Sequence, residues 1–369
     1  MKYGNQIKRA LCGAVLALCI LPSARAQHRA DRQSLSNPGS FSLILLGDPQ
    51  GYVKYDLNQP LFELCTAWIA DNVDQLNIKG VLCTGDLVEQ NENIVMNRRM
   101  LNQTSREMWE NVSRSFQRLD GVVPYFIAPG NHDYGLKKAE DGRTMFPDYF
   151  PFERNRCWRN IIVDSYPNRS GRITIENAAF LISDSVWGEL LVITSEFQPR
   201  DEVLQWALDL CNRSPDKRAI FITHSLLEEK SAAYTKAGYK IQPSNGGQDI
   251  WNKLLSKAPN IVLAICGHTG VPAEGTYQGK PDDWTLSCAY REDKNDSGRT
   301  VCQMMFNVQV LGGGWEGNGG DGWLRILEFC PDGKTVKVET YSPLFGISHL
   351  TKHLAHRTGS CDRFSMTLE

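Results

Sequence analysis

Five short apolar runs in this 369-residue chain each end in residue types that bind metal ions. They are Ser42 to Gln50 (SLILLGDPQ), Gly80 to Asp86 (GVLCTGD), Val123 to Asp133 (VPYFIAPGNHD), Ala219 to His224 (AIFITH) and Ile261 to His268 (IVLAICGH). Their ends supply Asp48, Gln50, Asp86, Asn131, His132, Asp133, His224 and His268. Carboxylate and amide oxygens hold hard divalent cations, and imidazole shifts the preference toward Mn, Fe or Zn. Two such cations side by side can activate a water molecule and clamp the oxygens of a phosphoryl group.

The histidines sharpen this reading. The chain has seven, one near the amino terminus and three after residue 348. The body between holds only His132, His224 and His268, each at the close of an apolar run. A single histidine is more often a packed or surface residue than a ligand. Three in equivalent positions favour the ligand reading.

The elements that position these residues follow from the pattern. A short apolar run closed by Gly or a polar turn reads as a buried strand. Ligands in open α/β sheets sit beyond the carboxyl ends of such strands. Asn58-Gln59-Pro60 starts a helix whose Leu61, Leu64, Cys65, Trp68, Ile69 and Val73 share a face. Asn102 to Leu119 reads as a second helix, giving strand–helix–strand–helix–strand with parallel pairing. Further on, Arg172 to Ser183 and Leu190 to Phe197 suggest an antiparallel pair. Helices are expected over Asp201 to Cys211 and Gln248 to Leu255. Val301 to Val310, Trp323 to Phe329 and Val336 to Tyr341 read as a terminal meander, and residues 346–369 as a loosely packed tail. Gly312 to Gly322 lacks the Gly-Lys-Ser/Thr ending of a phosphate-binding loop. It reads as a flexible connection, with a rim loop carrying Trp315 and Asp321 as the alternative.

Residues 1–26 have the pattern of an export signal. Lys2, Lys8 and Arg9 precede an apolar stretch from Ala10 to Leu21, and Ala24-Arg25-Ala26 fits a cleavage site. Its removal leaves 343 residues, takes four basic side chains away and moves the net charge from −2 to −6. The product is expected to be periplasmic or secreted, without stable membrane insertion. Residues 27–40 read as a linker. No basic stripe is present, which argues against nucleic acid as a partner. Nine cysteines remain after cleavage. Cys65, Cys83 and Cys266 read as buried thiols. Disulfides are open among Cys157, Cys211, Cys288, Cys302, Cys330 and Cys361.

The order of these motifs resembles that of the calcineurin-like metallophosphoesterases. Their pattern is DxH, GDxx, GNH(D/E), a lone His, then GHxH. Here it stands as Asp48-Pro49-Gln50, Gly85-Asp86, Gly130-Asn131-His132-Asp133, His224 and Gly267-His268-Thr269-Gly270. The likeness runs from about residue 41 to 270, and GNHD after a strand is its most specific part. It implies an α/β fold, a metallophosphoesterase-like sandwich of two mixed β-sheets flanked by helices, over residues 41–345.

The resemblance also implies roles. Asp48 and Gln50 would bind a first divalent metal, Asp86 would bridge, and Asn131, His224 and His268 would bind a second. His132 would face the scissile oxygen as leaving-group acid, with Asp133 orienting its ring. Asp133 has a second reading as a turn cap. Two departures weaken metal one: Gln50 and Gly270 replace family histidines. An oxygen-rich set remains that suits Mn or Mg, whereas Mn, Fe or Zn suit the other site. The function implied is exported, metal-dependent hydrolysis of a small phosphorylated substrate, as monoester or diester. The rival is a phospholigand-binding protein on a degenerate scaffold. Arg143, Arg154, Arg156, Arg159, Arg169 and Arg172 either grip a second charged group or form a solvated basic loop.

Overall fold

The computed structural model describes residues 33–93, 101–229, 231–270 and 287–369. The export signal expected over 1–26 lies outside the described residues, as does the linker up to residue 32.

The motif strands are β1 (Phe41–Leu46), β2 (Ile78–Cys83) and β3 (Tyr125–Ile127), followed by β4 (Ile162–Ser165), β5 (Ala178–Asp184) and β6 (Gly188–Thr194). Then come β7 (Arg218–Ile222), β8 (Ile261–Cys266), β9 (Cys288–Lys294) and β10 (Thr300–Phe306). The last are β11 (Leu324–Phe329), β12 (Thr335–Tyr341), β13 (His356–Arg357) and β14 (Phe364–Thr367). They form two seven-stranded sheets. One runs β13-β12-β11-β1-β2-β3, with β14 also on β12, and the other β4-β5-β6-β7-β8-β10-β9. β1, β2 and β3 are parallel, as are β6, β7, β8 and β10, while the outer strands are antiparallel.

The side-chain alternation of the second sheet explains its two coverings. Ile220 and Ile222 of β7 face the core shared with the first sheet, and Ala219 and Phe221 face a separate cluster. Cys302, Met304 and Phe306 of β10 follow the first pattern, and Val301 and Met305 the second. This period of two is what a strand buried on both faces requires.

Helices cover the outer faces. α1 (Gln50–Val53) is one turn long, α2 (Gln59–Asp71) carries Pro in its first turn, and α3 (Ser105–Gln117) starts on a Thr104–Glu107 capping box. α4 (Phe146–Tyr149) is short, and α5 (Asp201–Arg213) packs Val203, Leu204, Ala207 and Leu210 on the second sheet. α6 (Gly247–Ile250) continues into a wide turn over Trp251–Leu255.

Three expectations need correction. Val301 to Val310 does not join the terminal meander, because β10 lies parallel to β8 in the other sheet. The tail is not loose: β13 and β14 pair with β12, Met366 and Leu368 are buried, and Cys361 forms a disulfide with Cys288. The described part of the expected linker is also tied down. Glu328 accepts bonds from the backbone N–H of Ser36 and Asn37 and from the hydroxyls of Ser36 and Ser40.

Candidate metal centre

All five motif strands end at one edge, where the two sheets meet. Thr84, just after β2, ties both halves together. Its hydroxyl donates to Asp48 Oδ1 at 2.8 Å, and its carbonyl accepts from His224 Nδ1 at 2.6 Å. The backbone N–H of His268 donates to Asp48 Oδ2 at 2.8 Å, and that of His132 to Asp86 Oδ1 at 2.9 Å.

Close approach of these ends demands glycine. A Cβ on Gly130 would lie 2.2 Å from Asp86 Oδ1, and one on Gly267 would lie 2.1 Å from Asp48 Oδ1. Asp86 (φ 51°) and His268 (φ 73°) occupy the left-handed region. Non-glycine residues rarely adopt it, and such strain concentrates at functional sites.

The donor to Thr84 fixes the proton of a neutral His224 on Nδ1, leaving a lone pair on Nε2. Around that nitrogen lie Asp86 Oδ2 at 3.2 Å, Asn131 Oδ1 at 3.1 Å and His268 Nδ1 at 3.1 Å. The ligand atoms of Asp86, His224 and His268 lie within 4.8 Å of one another. With both imidazoles neutral and His268 presenting its lone pair, these acceptors face one another with no donor between them. Only a proton or a cation relieves that arrangement. The protein without metal takes the proton. Burial opposes a charge on His224, but Asp86 and Asp48 outweigh it and push the imidazole up to about 9. Burial and then the His224 charge push His268 down to about 3. Burial also opposes ionisation of Asp86, yet His224 and His132 hold its carboxyl well below the usual range. Asp48 rises to about 7 through burial, with Asp86 adding repulsion.

The set that a cation would find at this point is Asp86, Asn131, His224 and His268. These are the residues named above for metal two, and the structure brings them together. The first-metal set is thinner. Asp48 is fully buried, and its oxygens already accept two bonds. Gln50 Oε1 is buried and has no hydrogen-bond partner among the described residues, as an unused ligand would. Asn307 backs onto Gly47; its Oδ1 accepts from Gln309 N–H, and its Nδ2 is buried with no partner among the described residues. The residues fit one divalent ion fully and a second in part.

His132 is part-exposed beside this cluster, and its Nδ1 lies 2.6 Å from the carbonyl oxygen of Glu89. Asp133 does not orient it. The Asp133 carboxylate accepts from Leu87 and Val88 N–H through Oδ1 and from Gly130 N–H through Oδ2. Its reach is used in closing the turn, so the turn-cap reading holds. Burial and then the Asp86 charge raise this carboxyl to about 7.

Five of the six arginines in the arginine-rich stretch serve the fold, and Arg159 is exposed. Arg143 pairs with Glu92 and Asp141, Arg154 with Asp120, Arg172 with Asp148, and Arg169 with buried Glu196. Arg156 donates to the Gly121 carbonyl. The glycine-rich loop docks on α1, the helix that begins at Gln50. Asn58 Nδ2 donates to Gly317 O, Gly322 N–H donates to the Tyr52 hydroxyl, and Tyr55 bonds Glu316. Trp315 stays exposed at the loop tip, whereas Asp321 accepts from Asn318 within the loop.

Sequence reasoning missed Thr84, Glu89 and Tyr239. Thr84 stood inside the quoted GVLCTGD run as a polar strand end, which was a usable signal. The bond to Glu89 comes from its backbone, which no residue type announces. Tyr239 lies on the polar stretch after His224, with its ring centroid 5.7 Å from that of His268 and 5.1 Å from that of Phe197.

Fold and site together define a two-sheet sandwich with a cluster of potential metal ligands at its strand ends. The profile of the calcineurin-like phosphoesterases matches residues 41–272, and the chain belongs to that family. Family membership implies phosphoester hydrolysis and the use of divalent metal. The uncharacterized protein YvnB of Bacillus subtilis is 27% identical over 337 residues, which is 89% of this chain and 22% of YvnB. The chain thus spans about a fifth of that relative. Among solved structures, a dimetal phosphatase from Danio rerio aligns with a TM-score of 0.48 at 10% identity, covering 89% of this chain and 99% of that one. GAP50, the anchor in the inner membrane complex of Plasmodium, aligns at 0.46 and 9% identity, covering 89% of each chain.

Proposed function

We propose that the protein is an exported hydrolase of small phosphodiesters, with His132 as the acid that protonates the leaving oxygen. The observation that carries the reading is the ring of acceptors round His224 Nε2, with the part-exposed His132 beside it. Divalent ions held there supply positive charge to polarise the phosphoryl group and to activate water. Asp86, Asn131, His224 and His268 would hold the firm ion. Asp48, Asp86 and Gln50 would hold a weaker, exchangeable one, with Mn or Mg favoured by the oxygen donors.

The chain's own residues set the rest. The Glu89 carbonyl accepts the Nδ1 proton of His132 and so fixes its ring. Nε2 is then the nitrogen left to give a proton to a departing alkoxide. Asp133 shapes the turn that carries His132. Among the described residues, no arginine or lysine bonds to Asp48, Asp86, Asn131, His132, His224 or His268. A monoester dianion there would gain no side-chain cation from these described partners, whereas a diester carries a single charge. That supports the diester over the monoester.

Export is supported by the basic–apolar–small pattern of residues 1–26 and by the Cys288–Cys361 disulfide. No helix among the described residues is long and apolar enough to cross a membrane. Chromogenic mono- and diesters compared with Mn2+, Mg2+ and Zn2+ test the substrate reading. Diester turnover at least tenfold above monoester turnover is expected, and the reverse preference would overturn it.

A further inference from the structure

We propose that Tyr239 is a substrate-binding residue of this site, its hydroxyl donating a hydrogen bond to a phosphoryl oxygen. The inference rests on the phosphoesterase reading and adds to it a neutral donor at a site whose ligands bond to no described arginine or lysine.

Three observations place the residue. Its ring stands edge-on to Phe197, with an interplanar angle of 85°, and packs against His268 at 62°. Phe197 in turn touches both His224 and His268. The aromatic group therefore lines the His268 side of the crevice. Second, its loop is anchored. Ile241 N–H donates to the Ala139 carbonyl at 3.0 Å, and Ile241 is buried with Tyr134, Ala139 and Phe197 in a small cluster against which Tyr239 packs. Tyr134 follows directly on Asp133 and Ala139 lies a few residues further on, so the loop is fastened to the segment that leaves the proposed acid. Third, the phenol is only partly exposed, yet its hydroxyl bonds to nothing among the described residues.

Other tyrosines of the molecule show the contrast. Tyr125 bonds Asp120, Tyr134 bonds Glu176, and Tyr234 on the same loop bonds Asp293. A phenol whose ring packs against His268, with its hydroxyl unpaired among the described residues, is preorganised to meet a ligand oxygen. The ligand class that the neighbouring residues define is a phosphoryl group.

The test compares the full chain, loaded with Mn2+, with Tyr239→Phe, which keeps the ring and removes only the hydroxyl. Tyr234→Phe serves as the control. Inorganic phosphate binding is measured by calorimetry, alongside metal content, melting temperature and kcat/KM on a chromogenic diester. Loss of one hydrogen bond to a charged phosphate oxygen should weaken phosphate binding by about 10–100-fold. Metal content and melting temperature should be unchanged, and Tyr234→Phe should bind as wild type. Equal phosphate affinity in Tyr239→Phe and wild type would overturn the proposal. If wild type binds phosphate but hydrolyses no ester, the enzyme reading fails while the loss of phosphate affinity in Tyr239→Phe still supports the contact. A wild type that binds no phosphate overturns both.

Discussion

His224 Nε2 lies 3.2 Å from Asp86 Oδ2, although the two residues are supplied by different sheets. β2 brings the carboxylate and β7 the imidazole, so this contact is also where the halves of the sandwich close on each other. The bond from His224 Nδ1 to the Thr84 carbonyl aims the ring at that carboxylate. A backbone acceptor on a metal-binding histidine fixes its orientation and raises its basicity.

Removing the proposed acid should cost most where the leaving group is poor. His132→Ala is expected to lower kcat for an alkyl diester by about 10²–10⁴-fold. A nitrophenolate leaves without a proton, so its ester should lose far less. Steady-state rates on a series of leaving groups check this. An equal loss for every ester would remove His132 from the acid role.

Asp133→Asn should act on stability rather than on the acid. The carboxylate accepts three backbone N–H groups, and an amide nitrogen in place of Oδ2 would oppose Gly130 N–H. A loss of about 2 kcal/mol in unfolding free energy is expected for one buried donor left unpaired. The dependence of kcat on the leaving group should keep its shape. Chemical denaturation and a leaving-group series separate the two effects.

Glu328 makes the amino-terminal strap pH-dependent. Burial alone would raise its carboxyl, but bonds from Ser36, Ser40 and Asn37 hold it below the ordinary value of 4.5. A depressed folded pKa stabilises above the unfolded pKa, and the contribution is lost as pH falls through the folded value. Glu328→Gln should therefore melt earlier than wild type at pH 7, and the gap should close as the solution is acidified below 4. Melting curves across pH 3 to 7 measure it.

Much of the site was legible because each motif run switches abruptly from apolar to polar at a strand end. Asp48, Asp86, Asn131, His224 and His268 could be read that way. Other features depend on partners far away in the chain. Arg154 and Asp120 gave no hint of pairing, and the choice of Asp133 between ring and turn depended on where Leu87 and Gly130 came to lie. β10 was misassigned because an apolar run does not say which sheet it joins. β13 and β14 are two and four residues long, too short for a period to show. Tyr239 sits in a polar loop with no pattern around it.

Metal counting on wild type and Asp86→Asn, with diester hydrolysis measured on the same samples, tests the central claim. Wild type dialysed against chelator should keep about one ion per chain and regain full rate when Mn2+ is added. Asp86→Asn should lose metal and at least a thousandfold in rate. Unchanged metal content and turnover in Asp86→Asn would contradict the site described above.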